Sequence, residues 1–208
     1  MSQYFTSIKV ALTPSEGTET VWYAWYSVEE FATFATDEEI MNALLMDCYT
    51  PAASATTVSK TYINPGETWV LATFSVGTDG KYGEIVTGTF ESAAIPYDKN
   101  ITVELVSLAE DGNNYVATVK VSGASKVMGY NITANDDSRA TFMTNVCKNG
   151  AKASYYGYQM AAVTDGQAVL TFEKSKYKKN YLVAAYNVTD NLVSAISEEI
   201  LVIDTIVE

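Results

Sequence analysis

The sequence predicts a mainly β chain made of two antiparallel β-sandwich modules, each interrupted by one short helix. Three observations lead there. Short runs that alternate apolar and polar residues recur along most of the chain, separated by turns rich in Gly, Asp and Asn, the pattern of half-buried strands. Residues 68–85, TWVLATFSVGTDGKYGEI, return in weaker form at 180–196, NYLVAAYNVTDNLVSAI. Trp69 matches Tyr181, Leu71 matches Val183, Phe74 matches Tyr186 and Val76 matches Val188; Tyr181 lies 112 residues beyond Trp69, the length of a domain rather than of a small repeat. Finally, 208 residues with 48% apolar content suffice for two modules of about 100 residues, each burying its own core.

Module one is read as residues 1–93. Residues 5–12, FTSIKVAL, alternate and form a strand. Pro14-Ser15-Glu16-Gly17 is a turn, and residues 21–26, VWYAWY, are a second strand with aromatic side chains on both faces. The period then changes. Thr36-Asp37-Glu38-Glu39 is a capping box, with Thr36 accepting at the helix start and Glu39 reaching back. Ile40, Leu44 and Cys48 follow at helical spacing, which predicts an amphipathic helix of about three turns. Residues 58–63 are a short strand, and Asn64-Pro65-Gly66 turns the chain into the strand that begins near Trp69. Residues 92–96, SAAIP, are the hinge.

Module two is read as residues 94–208. Residues 101–108 and 115–121 are strands joined by Asp111-Gly112-Asn113. Residues 127–133, VMGYNIT, are the counterpart of 21–27. Asp136 or Asp137 caps a helix that runs to about Cys147 and closes at Lys148 and Gly150. An aromatic stretch, residues 155–160, leads through Asp165-Gly166 to a strand at 168–172. One long final strand covers 192–203. Module one has no counterpart to residues 101–108, so its first strand is read as missing through truncation. The strand at 5–12 is then an open edge, and an open edge is a template for pairing with another chain.

Composition narrows the function classes. The chain carries 25 acids against 13 bases; residues 1–93 hold 12 acids and 3 bases, residues 94–208 hold 13 and 10. An acidic chain repels phosphate backbones, which argues against a nucleic-acid partner. No apolar run approaches the ~20 residues that span a bilayer. Histidine is absent, which removes Ser–His–Asp and Cys–His nucleophile systems and every His-ligated metal site. Cys48 and Cys147 fit no metal or redox spacing and read as buried free thiols. Neither a cofactor nor a metal site is expected.

The run Asn64-Pro65-Gly66-Glu67-Thr68-Trp69-Val70-Leu71 resembles the P-G-x-x-Y-x-V that opens the penultimate strand of fibronectin type III modules. Tyr181-Leu182-Val183-Ala184-Ala185-Tyr186-Asn187 resembles the same family's Y-x-V-x-A-x-N. In that family the tyrosine closes a corner through its hydroxyl; Tyr181 fits, and Trp69 departs from it. An aromatic strand followed by a D-E-E-I helix is similar to the tandem fibronectin type III-like, immunoglobulin-like β-sandwich modules of gut-bacterial cell-surface lipoproteins. That resemblance implies an extracytoplasmic, non-catalytic binding or spacer protein at the cell surface or outer membrane. Its partners would be protein or glycan, and its membrane contact would be only through an upstream lipid anchor. Asp204-Thr205-Ile206 resembles the O-glycan acceptor of such bacteria.

Within that expectation two aromatic groups are candidate ligand contacts. Tyr23 and Trp25 share one strand face, and the Trp22 face corresponds to Met128, Tyr130 and Ile132; Trp22, Phe74, Tyr130 and Tyr186 are therefore expected in the core, with Tyr23 and Trp25 outside it. These two are either a platform for a sugar ring or the surface covered by the helix. Tyr155, Tyr156 and Tyr158 form the second group, since tyrosine offers large contact area with little rotamer entropy. Asp111, Asn113, Asp136 and Asp137 read as turn and cap residues rather than Ca²⁺ ligands. The alternative function of a different class is a carboxylate-based glycoside hydrolase, or an accessory domain of one, using Glu29, Glu30, Glu198 or Glu199. Adjacent glutamates in a strand point to opposite faces, so neither dipeptide is a catalytic pair by itself. Lys174, Lys176, Lys178 and Lys179 form a basic patch read as a solvated turn.

Overall fold

The computed structural model describes residues 5–48, 50–132, 136–175 and 180–204, and the structural statements below concern these. The chain divides into two compact units, Met1–Ala94 and Ile95–Glu208.

Unit one contains β1 (Ser7–Leu12), β2 (Thr18–Ser27), α1 (Val28–Phe31), α2 (Asp37–Asp47), β3 (Thr56–Thr61), β4 (Thr68–Gly77) and β5 (Val86–Glu91). β1 and β3 pair antiparallel as one sheet; β2, β4 and β5 form the other in the order β2-β4-β5. Unit two contains β6 (Tyr97–Asp98), β7 (Thr102–Asp111), β8 (Asn114–Ser122), β9 (Lys126–Ile132), α3 (Asp136–Asn149), β10 (Tyr158–Ala162), β11 (Gln167–Glu173), β12 (Asn180–Thr189), β13 (Leu192–Ser197) and β14 (Leu201–Asp204). Its sheets run β11-β8-β7 and β10-β9-β12-β13-β6, with β14 continuing along β12. This is the immunoglobulin-like β-sandwich. The pairing order is the same in both units when β1 is set against β8, β2 against β9, β3 against β11, β4 against β12, and β5 against β13 with β14.

The expected helices form where their caps allow. Thr36 Oγ1 accepts from the Glu39 backbone N–H at 3.2 Å, and Glu39 Oε2 accepts from the Ala35 N–H at 2.6 Å, one residue further back than a capping box reaches. A further helix, α1, is capped by Ser27, whose hydroxyl accepts from the Glu30 N–H. α3 starts at Asp136, so the residue that would cap it lies outside the described residues. The long strand expected at 192–203 is broken. β13 and β14 lie along the same edge of β12, and two extra residues between them bulge out. The break removes a ladder partner from Ala185, and the buried Ser197 hydroxyl accepts its N–H at 3.3 Å instead.

Each unit has three layers rather than two. In unit two, Val127, Tyr181, Val183, Ala185 and Ile203 face the β7–β8–β11 sheet, where they meet Val119, Leu170 and Phe172. The opposite face of the same strands, with Met128, Leu182, Ala184 and Tyr186, lies under Phe142, Met143 and Val146 of α3. In unit one, Ala24, Tyr26, Ala72 and Phe74 lie under Ile40 and Leu44 of α2. Small residues at these positions let the helix axis approach the sheet.

This corrects the assignment of faces. The Trp22 face, expected to be the sandwich interior, is the face the helix covers. The Tyr23 and Trp25 face, expected outside, is the inner one. Two of the four aromatics expected in the core are fully buried there, Phe74 and Tyr186; Trp22 and Tyr130 are half-buried against the helix layer. The ladder also moves the correspondence by two residues. Tyr26 opposes Val70 as Tyr130 opposes Leu182, and Trp25 opposes Leu71 as Gly129 opposes Val183. Gly129 is required where it stands, since a Cβ there would come within 2.6 Å of the Phe172 ring.

Both cysteines are buried free thiols. Burial pushes the Cys147 thiol up to about 12, so the reactive thiolate is disfavoured there.

Candidate functional site

The corner expected at Tyr181 is present. Its hydroxyl donates to the Glu173 carbonyl at 3.2 Å, and its ring packs on Phe172 and Tyr115. Trp69 holds the equivalent place, second in the central strand, opposite Phe90 as Tyr181 is opposite Ile203. Its indole Nε1 is buried and meets no acceptor among the described residues. Unit one ties the same corner differently. The buried Ser92 hydroxyl donates to the Asn64 carbonyl at 2.7 Å and accepts from the Glu67 N–H at 3.1 Å, while Glu67 Oε2 accepts from the Asn64 N–H. Trp69 is thereby released to carry something else: the Lys60 ammonium stands 3.5 Å from its ring centroid, reaching across from the other sheet. A cation at that distance is attracted by the ring quadrupole.

Trp69 lies in an unfinished part of the sandwich. In unit two the ten-residue strand β7 covers the edge of β8 with one register shift, and β6 pairs in parallel with Ile196 and Ser197 of β13. Val103 and Leu108 of β7 pack onto the core that contains Tyr181 and Ile203, and both core residues are buried. In unit one, among the described residues, β1 pairs only with β3 and β5 pairs only with β4. The outer edge of β1 is thus unpaired where that of β8 is covered, while β5, which stands along β4 as β14 stands along β12, has an unpaired outer edge as β14 does. Trp25, Trp69 and Phe90 share the inner face of the β2-β4-β5 sheet, with the Trp25 and Phe90 rings edge-on at 5.7 Å. All three are half-buried, and Val86 on the same face is 63% exposed. These rings are the candidate site of unit one. Sequence reading found the open edge but missed Phe90, Val86 and Lys60. The available signal was period two along β5, which puts Val86, Gly88 and Phe90 on one face.

The other sequence candidates separate. Tyr23 sits on the inner face beside Trp25, half-buried. Tyr158 is not a free binding ring. It stacks on Tyr130 at 4.1 Å and on Phe142 at 6.3 Å, and its hydroxyl accepts from Asn145 Nδ2 at 2.9 Å. Burial first, and then the neighbouring tyrosines, push its phenol up to about 12. Tyr155 leans on Tyr158 with Lys152 nearby, and Tyr156 is 98% exposed.

The carboxylates have local structural work. Glu29 and Glu30 lie in the first turn of α1, and Asp37, Glu38 and Glu39 in that of α2, where the helix dipole favours them. Glu198 and Glu199, both exposed, occupy the break between β13 and β14. They line a recess of about 280 Å³ with Glu104, Lys99, Ile101, Thr102 and Val103. Among the described residues no cluster of acidic or cysteine side chains is arranged to hold a metal. Lys174 bonds Glu110 at 2.6 Å and lies over Tyr115; Lys176, Lys178 and Lys179 lie outside the described residues, as do Thr205 and Ile206. Asn187 is a structural residue, accepting from the Ser125 N–H and donating to the Gly123 carbonyl. No helix among the described residues is long and apolar enough to cross a membrane.

No protein-family model matches the sequence, and no curated protein is similar enough to count as a relative. Among solved structures the chain is similar to the human OSCAR ligand-binding domain, with 9% identity and a TM-score of 0.28 over 97% of this chain and 92% of that one.

Proposed function

We propose that this chain is a non-catalytic binding and spacer protein of the bacterial cell surface, built from two copies of one fibronectin type III-like module. The observation that carries the binding role is the cluster of Trp25, Trp69 and Phe90 on the inner face of unit one, with Val86 exposed on the same face. Covering the aromatic surface that is still exposed there is favourable, which supports a partner at this position. The extracytoplasmic location, and attachment through an upstream lipid anchor, rest on the resemblance of residues 64–71, 181–187 and the helix that follows the aromatic strand. A panel of glycosides and polysaccharides tests the non-catalytic part. The expected result is no product release. Turnover abolished by Glu104→Gln, Glu198→Gln or Glu199→Gln would replace the reading with a carboxylate hydrolase.

Glycan binding is the second reading, favoured by the exposed Tyr156 ring beside Tyr155. A flat ring in solvent next to a second aromatic can stack on the apolar face of a sugar. A glycan array decides it: signal on an oligosaccharide, lost in Tyr156→Ala with an unchanged melting temperature, would place the glycan at this loop.

A further inference from the structure

We propose that the loop between α3 and β10 binds an oligosaccharide that carries a carboxylate, with a sugar ring stacked on Tyr156 and the carboxylate held by Lys152. The inference deepens the glycan reading above and rests on it. The loop is tied down along its length. Backbone bonds close its turns, from the Gly150 N–H to the Val146 carbonyl at 2.7 Å, from Lys152 to Asn149 at 2.9 Å and from Tyr158 to Tyr155 at 3.0 Å. Gly157 takes a φ of 77° between two tyrosines, a conformation that favours glycine. A polar chain then fixes the lysine. The Lys152 ammonium donates to Asn149 Oδ1 at 2.7 Å, Asn149 Nδ2 donates to the Asn145 carbonyl at 3.2 Å, and Asn145 Nδ2 donates to the Tyr158 hydroxyl. Asn149 is 2% exposed, so the ammonium is tethered to the body of the unit, and its three donors leave protons for an incoming acceptor.

Aromatic surface lies beside that charge. Tyr155 rests on Tyr158 at 4.8 Å, with the Lys152 ammonium 5.5 Å from its ring centroid. Tyr156, between Tyr155 and Gly157, is exposed. A helix C-terminus accounts for a nearby lysine through its dipole, but not for a tyrosine ring left in solvent. Such a ring offers a sugar face a large contact at little entropy cost. Charge selects which sugar. The chain carries 25 acids against 13 bases, yet residues 140–164 hold Lys148 and Lys152 and no acid. β9, which pairs with β10, has no acid either. The acids of α3, Asp136 and Asp137, lie in its first turn, at the end opposite Lys148. A fixed ammonium next to a flat ring favours a sugar acid, such as a hexuronate residue, over a neutral sugar.

The test uses the full chain and matched oligosaccharides of galacturonate and of glucuronate, each in its acidic form and with its carboxylates reduced to alcohols. Calorimetric titration is expected to show the acidic form binding about tenfold more tightly than the reduced one, with the preference shrinking at about 0.5 M salt. The reduced sugar is a control that cannot unfold the protein. Tyr156→Ala should lose binding of both forms with the melting temperature unchanged. Lys152→Gln should bring the acidic form down to the affinity of the reduced one, and Lys152→Arg should keep the preference. Equal affinity for the two forms would overturn the proposal. So would no binding of either acid, or binding of the acids that Tyr156→Ala leaves intact. A neutral oligosaccharide on the glycan array that binds and needs Tyr156 would, in any of these cases, leave the broader glycan reading standing.

Discussion

At the scale of single residues, two tyrosines in one strand make opposite predictions. Tyr181 and Tyr186 are both fully buried in β12. The Tyr181 hydroxyl has an acceptor at 3.2 Å; that of Tyr186 is buried with no partner among the described residues. A net hydrogen bond contributes about 1 kcal/mol, while a buried hydroxyl without one carries a desolvation cost. Tyr181→Phe should therefore destabilise the protein by about 1 kcal/mol, and Tyr186→Phe should be neutral or stabilising, both measured by urea denaturation. A shared pattern of strand aromatics suggests one role for both positions, and only the acceptor's location tells them apart. Residue identity did reveal the Tyr181 corner, because the motif around it is local. The Trp69 corner was not legible: its substitute, Ser92, lies 23 residues further along the chain and is tied to residues 64 and 67 by folding.

Titration is also decided residue by residue. Burial pushes Cys147 from 9.0 up to about 12, and Tyr158 and Tyr186 from 10.0 up to about 12. Their neutral forms are favoured by the fold. Between the unfolded and folded values the unfolded chain has lost protons that the native chain still holds, so stability falls as pH rises there. Below about pH 9 these groups are protonated in both states and contribute no slope. With no histidine in the chain, melting temperature is expected to show no histidine step between pH 6 and 8 and to fall from about pH 9 towards 12. A rise in melting temperature over that alkaline range would contradict the burial of these three groups.

At the scale of elements, alternation predicted the strands and the capping pattern predicted α2, since both signals are local. Which face the helix covers was not legible from period two, because a strand buried on both sides presents apolar residues to each. Size carried the missing information. The helix-facing positions of the central strands include Ala72 and Ala184, both 0% exposed, and Ala24 joins them in unit one. Large side chains there would hold the helix away. Ala72→Leu is expected to cost about 1–3 kcal/mol through overpacking, read as a lower denaturation midpoint. An unchanged midpoint would mean that α2 does not press on β4. The broken final strand was missed for a related reason. Residues 192–203 keep alternating through the break, and the two-residue bulge exists only against the register of β12.

At the scale of the whole molecule, each unit builds the same sandwich from the same pairing order, but among the described residues only unit two covers the outer edge of the strand at the β1 and β8 position. The sequence already separated the two by the strand at 101–108 that has no counterpart in unit one. It could not show that Trp25 and Phe90 meet on the inner face with Trp69 in the strand between, since β2, β4 and β5 come together only on folding. The central claim is that the outer edge of β1 is unpaired where that of β8 is covered. Residue-resolved amide exchange on the monomeric 208-residue chain measures this directly. The outward amides of Ser7–Leu12 should exchange far faster than their counterparts in Asn114–Ser122, which β7 covers. Equal protection of both sets in a monomer would show that the β1 edge is already paired, and would contradict the account.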